Sequence, residues 1–404
     1  MKIIFCGNLY VKIDVDMKKM KIPPPVSSHK FQMNLIEGFL KNRQNVIVVN
    51  LPRVRYYPNY PKIFFRKSSY DWNGREMGEN IGFINLLGLN YLTQKISFEK
   101  TLKKYIRQFP DEKYVLVCFN NYLPINKAML SVRNQYSNVS VCSVVGDLHG
   151  KYGLRVSERY DGLRGKIICS IEKKQDELTG QSDIFGLLTE QMADVLEIKD
   201  KSHVVIEGIY SDKTKKKVTK TSNSYKTIFY AGAIEEEYGI LHLLRAFSLV
   251  EGDDYRLKLA GGGGAVEDVK KYAARDYRIS YLGFLTPEEV EYHQQMATML
   301  INPRTSGKEY VKYSFPSKTM ECLASGKLFI GHKLPCIPKD YDQYIQYPKD
   351  ESDAALARKI VECGEMEEKM ALEFGEKARE FIVTNKNPEN QCRKLIELFM
   401  DKEN

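Results

Sequence analysis

No stretch of this 404-residue chain approaches the roughly 18 consecutive apolar residues that a membrane-spanning helix needs, so none is expected. The opening MKIIFCGNLY turns polar after a short apolar run and reads as a first strand, not as a secretory leader. Eight cysteines (Cys6, Cys118, Cys142, Cys169, Cys322, Cys336, Cys363, Cys392) stand far apart, most of them inside apolar runs, and the six histidines are isolated. Without C-x-x-C or zinc spacing, a disulfide framework and a structural metal are not expected, and a reducing cytoplasm is. Walker A, G-x-S-x-G and H-E-x-x-H patterns are missing, which argues against a P-loop NTPase, an α/β-hydrolase and a zincin. The glycine run AGGGGAVED, Ala260–Asp268, lacks the acid past a second strand that a nicotinamide dinucleotide site requires. No RNA-binding signature and no acid pair of the glycoside-hydrolase kind emerge.

What is present is an ordinary globular composition, 43% apolar and 28% charged, at a length that suggests about two domains. The net charge of +9 is uneven: residues 1–190 carry 29 Lys and Arg against 17 Asp and Glu, and the remainder 32 against 35. A basic first part fits an anionic partner, either nucleic acid or a membrane surface, or simply a solvated lysine-rich face. Short β-type runs alternate with helical segments throughout, the pattern of α/β architecture with parallel sheets. KIIFCG, NVIVVNL, YVLVCFN, VSVCSVVGD and DIFGLLT are the strand candidates of the first part. VVIEG, KTIFYAGAI, YRLKLAGGG, ISYLGFL, TMLINPR and KLFIGHK are those of the second. The lysine-rich SDKTKKKVTKTSNSY, 211–225, lacks apolar periodicity and reads as a linker. The expected division is 1–210, linker 211–225, 226–385, and a terminal helix 386–404 whose stripe Cys392, Leu395, Leu398 and Phe399 must pack on something. Two doubly wound domains facing a cleft are predicted, with ligands at the carboxyl ends of the strands.

Those strand ends carry the chemistry-bearing residues. Gly7 ends the first strand, Ser27, Ser28 and His29 stand at the front of the next helix, and VVGDLHG brings Asp147 and His149 out of the sheet. Gly232, Gly261 to Gly264, Gly283 and Pro303-Arg304 fall just past later strands, where glycine serves either a tight turn or close approach to a ligand. The segment YSFPSKTMECLASGK, Tyr313–Lys327, reads as a short helix with Ser314 or Ser317 as cap, Pro316 in its first turn, and Met320, Leu323 and Ala324 facing a core. Its front, with Lys318, is either an anion site or the start of an ordinary capped helix.

The order FYAGAIEEEYGILHLLRAF, LKLAGGG, ISYLGFLTPEEVEYHQQMATMLINPR and YSFPSKTMECLASGKLFIGHKLPCIPKDY resembles the donor domain of glycosyltransferase family 4. These are retaining enzymes of the GT-B fold, two Rossmann-like domains with the C-terminal helix, here 386–404, crossing back to the first, and the likeness is strongest to bacterial capsule and exopolysaccharide transferases. It spans residues 183–345 well and the first domain in outline. The resemblance implies a metal-independent hexosyltransferase that uses a nucleotide diphosphate sugar, with UDP the commonest base, and no other cofactor. It implies that Glu321 holds the ribose, that Ser314, Phe315, Ser317 and Lys318 lie against the diphosphate, and that Gly283, Phe284 and Leu285 contact the base. Gly232 would approach the donor, and Gly7, Ser27 and Ser28 would close over the phosphates from the first domain. Asp147 and His149 would reach toward the sugar. Two departures stand out. The diphosphate-gripping Arg and Lys of many members correspond to Ala233 and Tyr238, and the acid eight residues before the ribose glutamate to Tyr313. Arg304 and Lys318 are then candidates for the missing charge, and Glu309 for the missing acid. The implied acceptor is a glycan or a polyprenyl-diphosphate-linked saccharide at the inner face of the plasma membrane. Arg53–Trp72, basic and aromatic, would meet anionic lipid there or else pack as a loop, and IGFINLLGLNYL offers a second apolar contact or a core helix. A sugar-nucleotide epimerase and a non-catalytic binding partner are the rival readings.

Overall fold

The structure, a computed structural model, describes residues 1–10, 15–16, 19–20, 26–72, 75–148, 162–211 and 225–401. The chain divides into two compact units, one of Met1–Ile209 with Pro388–Asn404 and one of Tyr210–Asn387. Most of the expected linker, residues 212–224, lies outside the described residues, and so does His149.

The first unit is built on β1 (Lys2–Gly7), α1 (Val26–Lys41), β2 (Asn45–Asn50), β3 (Phe64–Phe65), β4 (Ser68–Trp72), β5 (Arg75–Asn80) and β6 (Phe83–Ile84). It continues with α2 (Leu89–Gln108), β7 (Tyr114–Phe119), α3 (Leu123–Arg133), β8 (Val139–Val145), α4 (Gly162–Thr179), β9 (Ile184–Leu187), α5 (Met192–Val195) and β10 (Ser202–Val205). Its sheet runs β10-β9-β8-β7-β1-β2-β5-β4, parallel except for β4 against β5. Because strand side chains alternate, Ile3 and Phe5 enter one core while Ile4 and Cys6 enter the other, which is why these strands read as continuous apolar runs. The stretch Arg53–Trp72, read from sequence as a membrane contact or a packed loop, supplies β3 and β4. Within IGFINLLGLNYL, β6 precedes a helix that starts only at Leu89.

The second unit contains β11 (Lys226–Ala231), α6 (Ile240–Ser248), β12 (Tyr255–Ala260), α7 (Val266–Arg275), β13 (Ile279–Tyr281), α8 (Pro287–Met296) and β14 (Met299–Asn302). α9 (Ser317–Leu323), β15 (Leu328–Gly331), α10 (Asp353–Gly364) and α11 (Glu368–Asn385) complete it. All five strands are parallel in the order β13-β12-β11-β14-β15. The direction of winding reverses between β11 and β14, which places a crevice outside their carboxyl ends. The terminal helix α12 (Pro388–Asp401) belongs to the first unit, where Cys392, Leu395, Ile396 and Phe399 complete the core under α1.

Candidate functional site

In the second unit the loops past β11, β12 and β13 are stacked backbone on backbone. Gly232 N donates to Ala260 O at 3.0 Å, Ile234 N to Gly262 O at 2.9 Å and Gly261 N to Gly283 O at 2.8 Å. Gly261 has φ +130°, and a Cβ there would stand 1.8 Å from Gly232 O, so no other residue fits. Gly232, Gly261 and Gly262 therefore serve close packing. Phe284 lies across Gly262 and is 85% exposed, leaving its ring open beside the glycine-rich edge. Gly283 adopts φ +72° with open space around it, and Leu285 leads into α8, whose Thr286 and Glu289 form a capping box.

Past β14 the chain places Arg304, 4% exposed, at the point where the winding reverses. Its Nη1 donates to Ser314 O at 3.3 Å, and its guanidinium packs 4.8 Å from the ring of Tyr310 and 5.8 Å from that of Tyr238. Tyr238 stands where the resemblance leads one to look for a lysine, and it offers the arginine a π face. Nε and Nη2, the two nitrogens along one edge of the guanidinium, are buried without hydrogen-bond partners. Among the described residues no carboxylate pairs with it. A buried cation in this state is costly until an anion meets it, and the free edge suits two oxygens of one phosphoryl group. Burial pushes the Tyr310 hydroxyl up, with Arg304 beside it pulling the other way, and that hydroxyl donates to Glu237 O at 3.1 Å.

The segment after Tyr313 differs from its sequence reading in one respect. α9 is only seven residues long, its N-cap is Pro316, and neither Ser314 nor Ser317 caps it with its side chain. Phe315 is buried with its ring 5.6 Å from that of Tyr341, so it anchors the segment. Ser317 is exposed. Lys318 Nζ donates to Glu321 Oε2 at 2.7 Å. Burial works against the Lys318 charge, but Glu321 more than offsets it and the amine is held above its usual range. Glu309, in the turn Glu309–Tyr313, is exposed and makes no ion pair among the described residues.

Residues 211–402, just under half of the chain, match the family described as glycosyl transferases group 1. No curated protein matches the sequence. Among solved structures, sucrose-phosphate synthase from Thermosynechococcus elongatus is similar, at 15% identity and a TM-score of 0.64 over 100% of this chain and 99% of its own. A mutant of S. aureus TarM in complex with fondaparinux, alpha-GlcNAc-glycerol and UDP is similar at 12% identity and a TM-score of 0.60, over 99% and 100%. HepE of Anabaena in complex with UDP follows at 11% and 0.61, over 99% and 100%. The fold is GT-B.

In the first unit of this GT-B fold, Gly7, Ser27, Ser28 and Asp147 all lie at the carboxyl edge of the parallel strands or the front of the helix that follows. Gly7 sits against Asn50, whose side chain also holds both polar atoms of the Leu9 backbone, at 2.7 and 2.9 Å. Ser27 is exposed, and Ser28 O accepts from Gln32, which itself ties down Asn8 N. Asp147 is exposed, with Oδ2 fixed by Asn120 Nδ2 at 2.9 Å. Asn120 Oδ1 in turn accepts from Gly146 N and Asp147 N at 2.6 and 3.0 Å. Asn120 has φ +53°, a left-handed conformation that asparagine tolerates. Sequence reading missed Asn120; the signal was the polar pair Asn120-Asn121 immediately past the strand YVLVCF. His29, at the front of α1, leaves a buried Nδ1 without a partner, and burial pushes its pKa down.

Proposed function

We propose that the protein is a retaining glycosyltransferase. It would move a sugar from a nucleotide diphosphate sugar, UDP-linked in the first instance, to a hydroxyl of a glycan or polyprenyl-diphosphate-linked saccharide in surface polysaccharide synthesis. The observation that carries this reading is Arg304, a buried guanidinium with one whole edge unpartnered, at the winding reversal of the unit that matches glycosyl transferases group 1. Breaking a glycosyl–phosphate bond leaves charge on the departing diphosphate, and a fixed cation in a dry site stabilises that charge where it develops. Arg304 takes the role that Ala233 and Tyr238 cannot fill. Glu321 accepts the ribose hydroxyls, and that exchange releases Lys318 to turn its ammonium toward the phosphates. The open ring of Phe284 and the backbone at Gly283–Leu285 meet the base.

The anomeric carbon–oxygen bond to phosphate breaks while the acceptor oxygen bonds to the same face. The acceptor proton passes to an oxygen of the leaving diphosphate, so neither a protein nucleophile nor a metal is needed. Asp147, held rigid by Asn120, positions sugar or acceptor, with His149 beside it in sequence, and Glu309 contacts the sugar. The working place is the cytoplasmic face of the plasma membrane.

The test is thermal melting of the wild type and Glu321→Ala with nucleoside diphosphates, with and without EDTA. A diphosphate at 100 times its dissociation constant adds about 2.7 kcal/mol of stability. Stabilisation by UDP, indifferent to EDTA and lost in Glu321→Ala, is expected, followed by slow hydrolysis of the UDP-sugar that binds. Formation of a new sugar nucleotide would transfer the reading to an epimerase. Tight binding without turnover, even with lipid-linked acceptors, would make the chain a binding partner.

A further inference from the structure

From Leu89 to Ile96, ahead of the buried Phe98, α2 is folded inside out. Asn90 and Gln94 are buried there, while Leu89, Leu92 and Ile96, at helical spacing on one face, are exposed. Gln94 Oε1 accepts from the buried hydroxyl of Tyr122 at 3.2 Å, which fixes the amide face inward and so holds the leucines out. The patch does not end with the helix. Leu87, 70% exposed, precedes it; Tyr57, bridged to Leu86, and Phe64, paired with Ile84 and 65% exposed, adjoin it. Thr93 Oγ1 bonds both backbone atoms of Ile84 at 3.2 Å and locks the strand pair to the helix. Exposed apolar side chains gathered on one helix face and on the strand pair locked to it mark a contact site.

The charges around it select the partner. No Asp or Glu occurs from Asn80 to Phe98. Arg55, Arg66 and Lys100 are exposed, and among the described residues none of them has an acidic partner. Lys100 continues the stripe of Leu89, Leu92 and Ile96 along the helix. Two copies of this chain meeting through this face would set those cations against one another. Aromatic and leucine side chains inside a basic rim match the headgroup–acyl boundary of an anionic bilayer. Among the described residues no helix is long and apolar enough to cross a membrane, so the contact is interfacial.

We infer that Tyr57, Phe64, Leu87, Leu89, Leu92 and Ile96 dock the first unit onto an anionic membrane surface, with Arg55, Arg66 and Lys100 on the lipid phosphates. This deepens the proposed function, resting on it for the lipid-linked acceptor and on nothing else. The experiment is cosedimentation of the full chain with phosphatidylcholine vesicles, with and without phosphatidylglycerol. It compares the wild type, Leu87→Asp/Leu92→Asp and Arg55→Gln/Arg66→Gln/Lys100→Gln, each checked by its melting temperature and its UDP-induced shift. Binding only to the anionic vesicles is expected, abolished by the aspartates and weakened about a hundredfold by loss of the three charges. Equal binding by all three proteins, or equal binding to neutral vesicles, would overturn it. A concentration-dependent dimer that Leu87→Asp/Leu92→Asp dissolves, without vesicle binding, would assign the face to a second copy. Vesicle binding without any UDP shift would leave this inference standing and remove the transferase.

Discussion

Arg304 is the residue on which a mutational test turns most sharply. Relieving an uncompensated buried charge removes a cost, so Arg304→Met should melt at or above the wild-type temperature while binding UDP about tenfold to a hundredfold more weakly. Melting curves and titration calorimetry check the two halves separately. A lower melting temperature with unchanged UDP affinity would make Arg304 a pillar between Tyr238 and Tyr310. Lys318→Met should change stability by less than about 0.5 kcal/mol, because its pairing with Glu321 is partly exposed and replaceable by water. Spacing alone had named Arg304, since it follows a strand. It could not show that the side chain turns inward with one edge free, because that depends on Tyr310 and Tyr238 arriving from two other loops.

Elements carry two further expectations. Gly261→Ala would force Cβ into Gly232 O and hold alanine at φ +130°, so a loss of about 2 kcal/mol or more is expected in urea unfolding of the second unit. At the end of β15, His332 is buried and its Nε2 meets Nε2 of His242 at 3.0 Å. His242 Nδ1 is bonded by Asp353 Oδ1, whose other oxygen accepts from Arg245 Nε at 2.7 Å. Burial, then His242, pushes the His332 imidazole down to about 4, against the pull of Glu351 and Asp350. The unfolded chain takes up that proton near pH 6.5, so it binds more protons than the fold between about 6.5 and about 4. Stability should therefore be full above pH 6.5 and fall toward pH 4, and His332→Gln should flatten the melting profile over that window. At this scale the long parallel strands were legible because burial on both faces makes them continuous apolar runs. The two-residue strands β3 and β6 were not, since a pair so short is defined by its partner and leaves no period in the sequence.

For the whole molecule the decisive feature is that the chain returns to its first unit. α12 fills the core of that unit with Cys392, Leu395, Ile396 and Phe399, and a Cβ on Gly38 of α1 would stand 2.2 Å from Pro388 O. Residues 1–209 alone should be expanded and aggregation-prone and should recover a cooperative melt when 388–404 is added as a peptide. Residues 210–387 alone should melt cooperatively without help. Calorimetry of the three samples checks this, and a cooperative melt of 1–209 without the peptide would remove the claim. Phe399→Ala in the full chain should cost about 3–5 kcal/mol.

Much of this protein is determined by the order of its residues alone: two α/β units, glycines past strand ends, and the helix that carries Lys318 and Glu321. Each of these rests on local periodicity or on a backbone conformation open to few residues, and so is written in neighbouring positions. Two features were decided only by the tertiary structure: the free edge of Arg304 and the face of α2 that turns its leucines to water. Burial and pairing depend on which distant segments arrive beside a side chain. A helix whose first turns hide amides and show leucines has the composition of an ordinary one. The packing of Tyr122 on Gln94 sets which face is out.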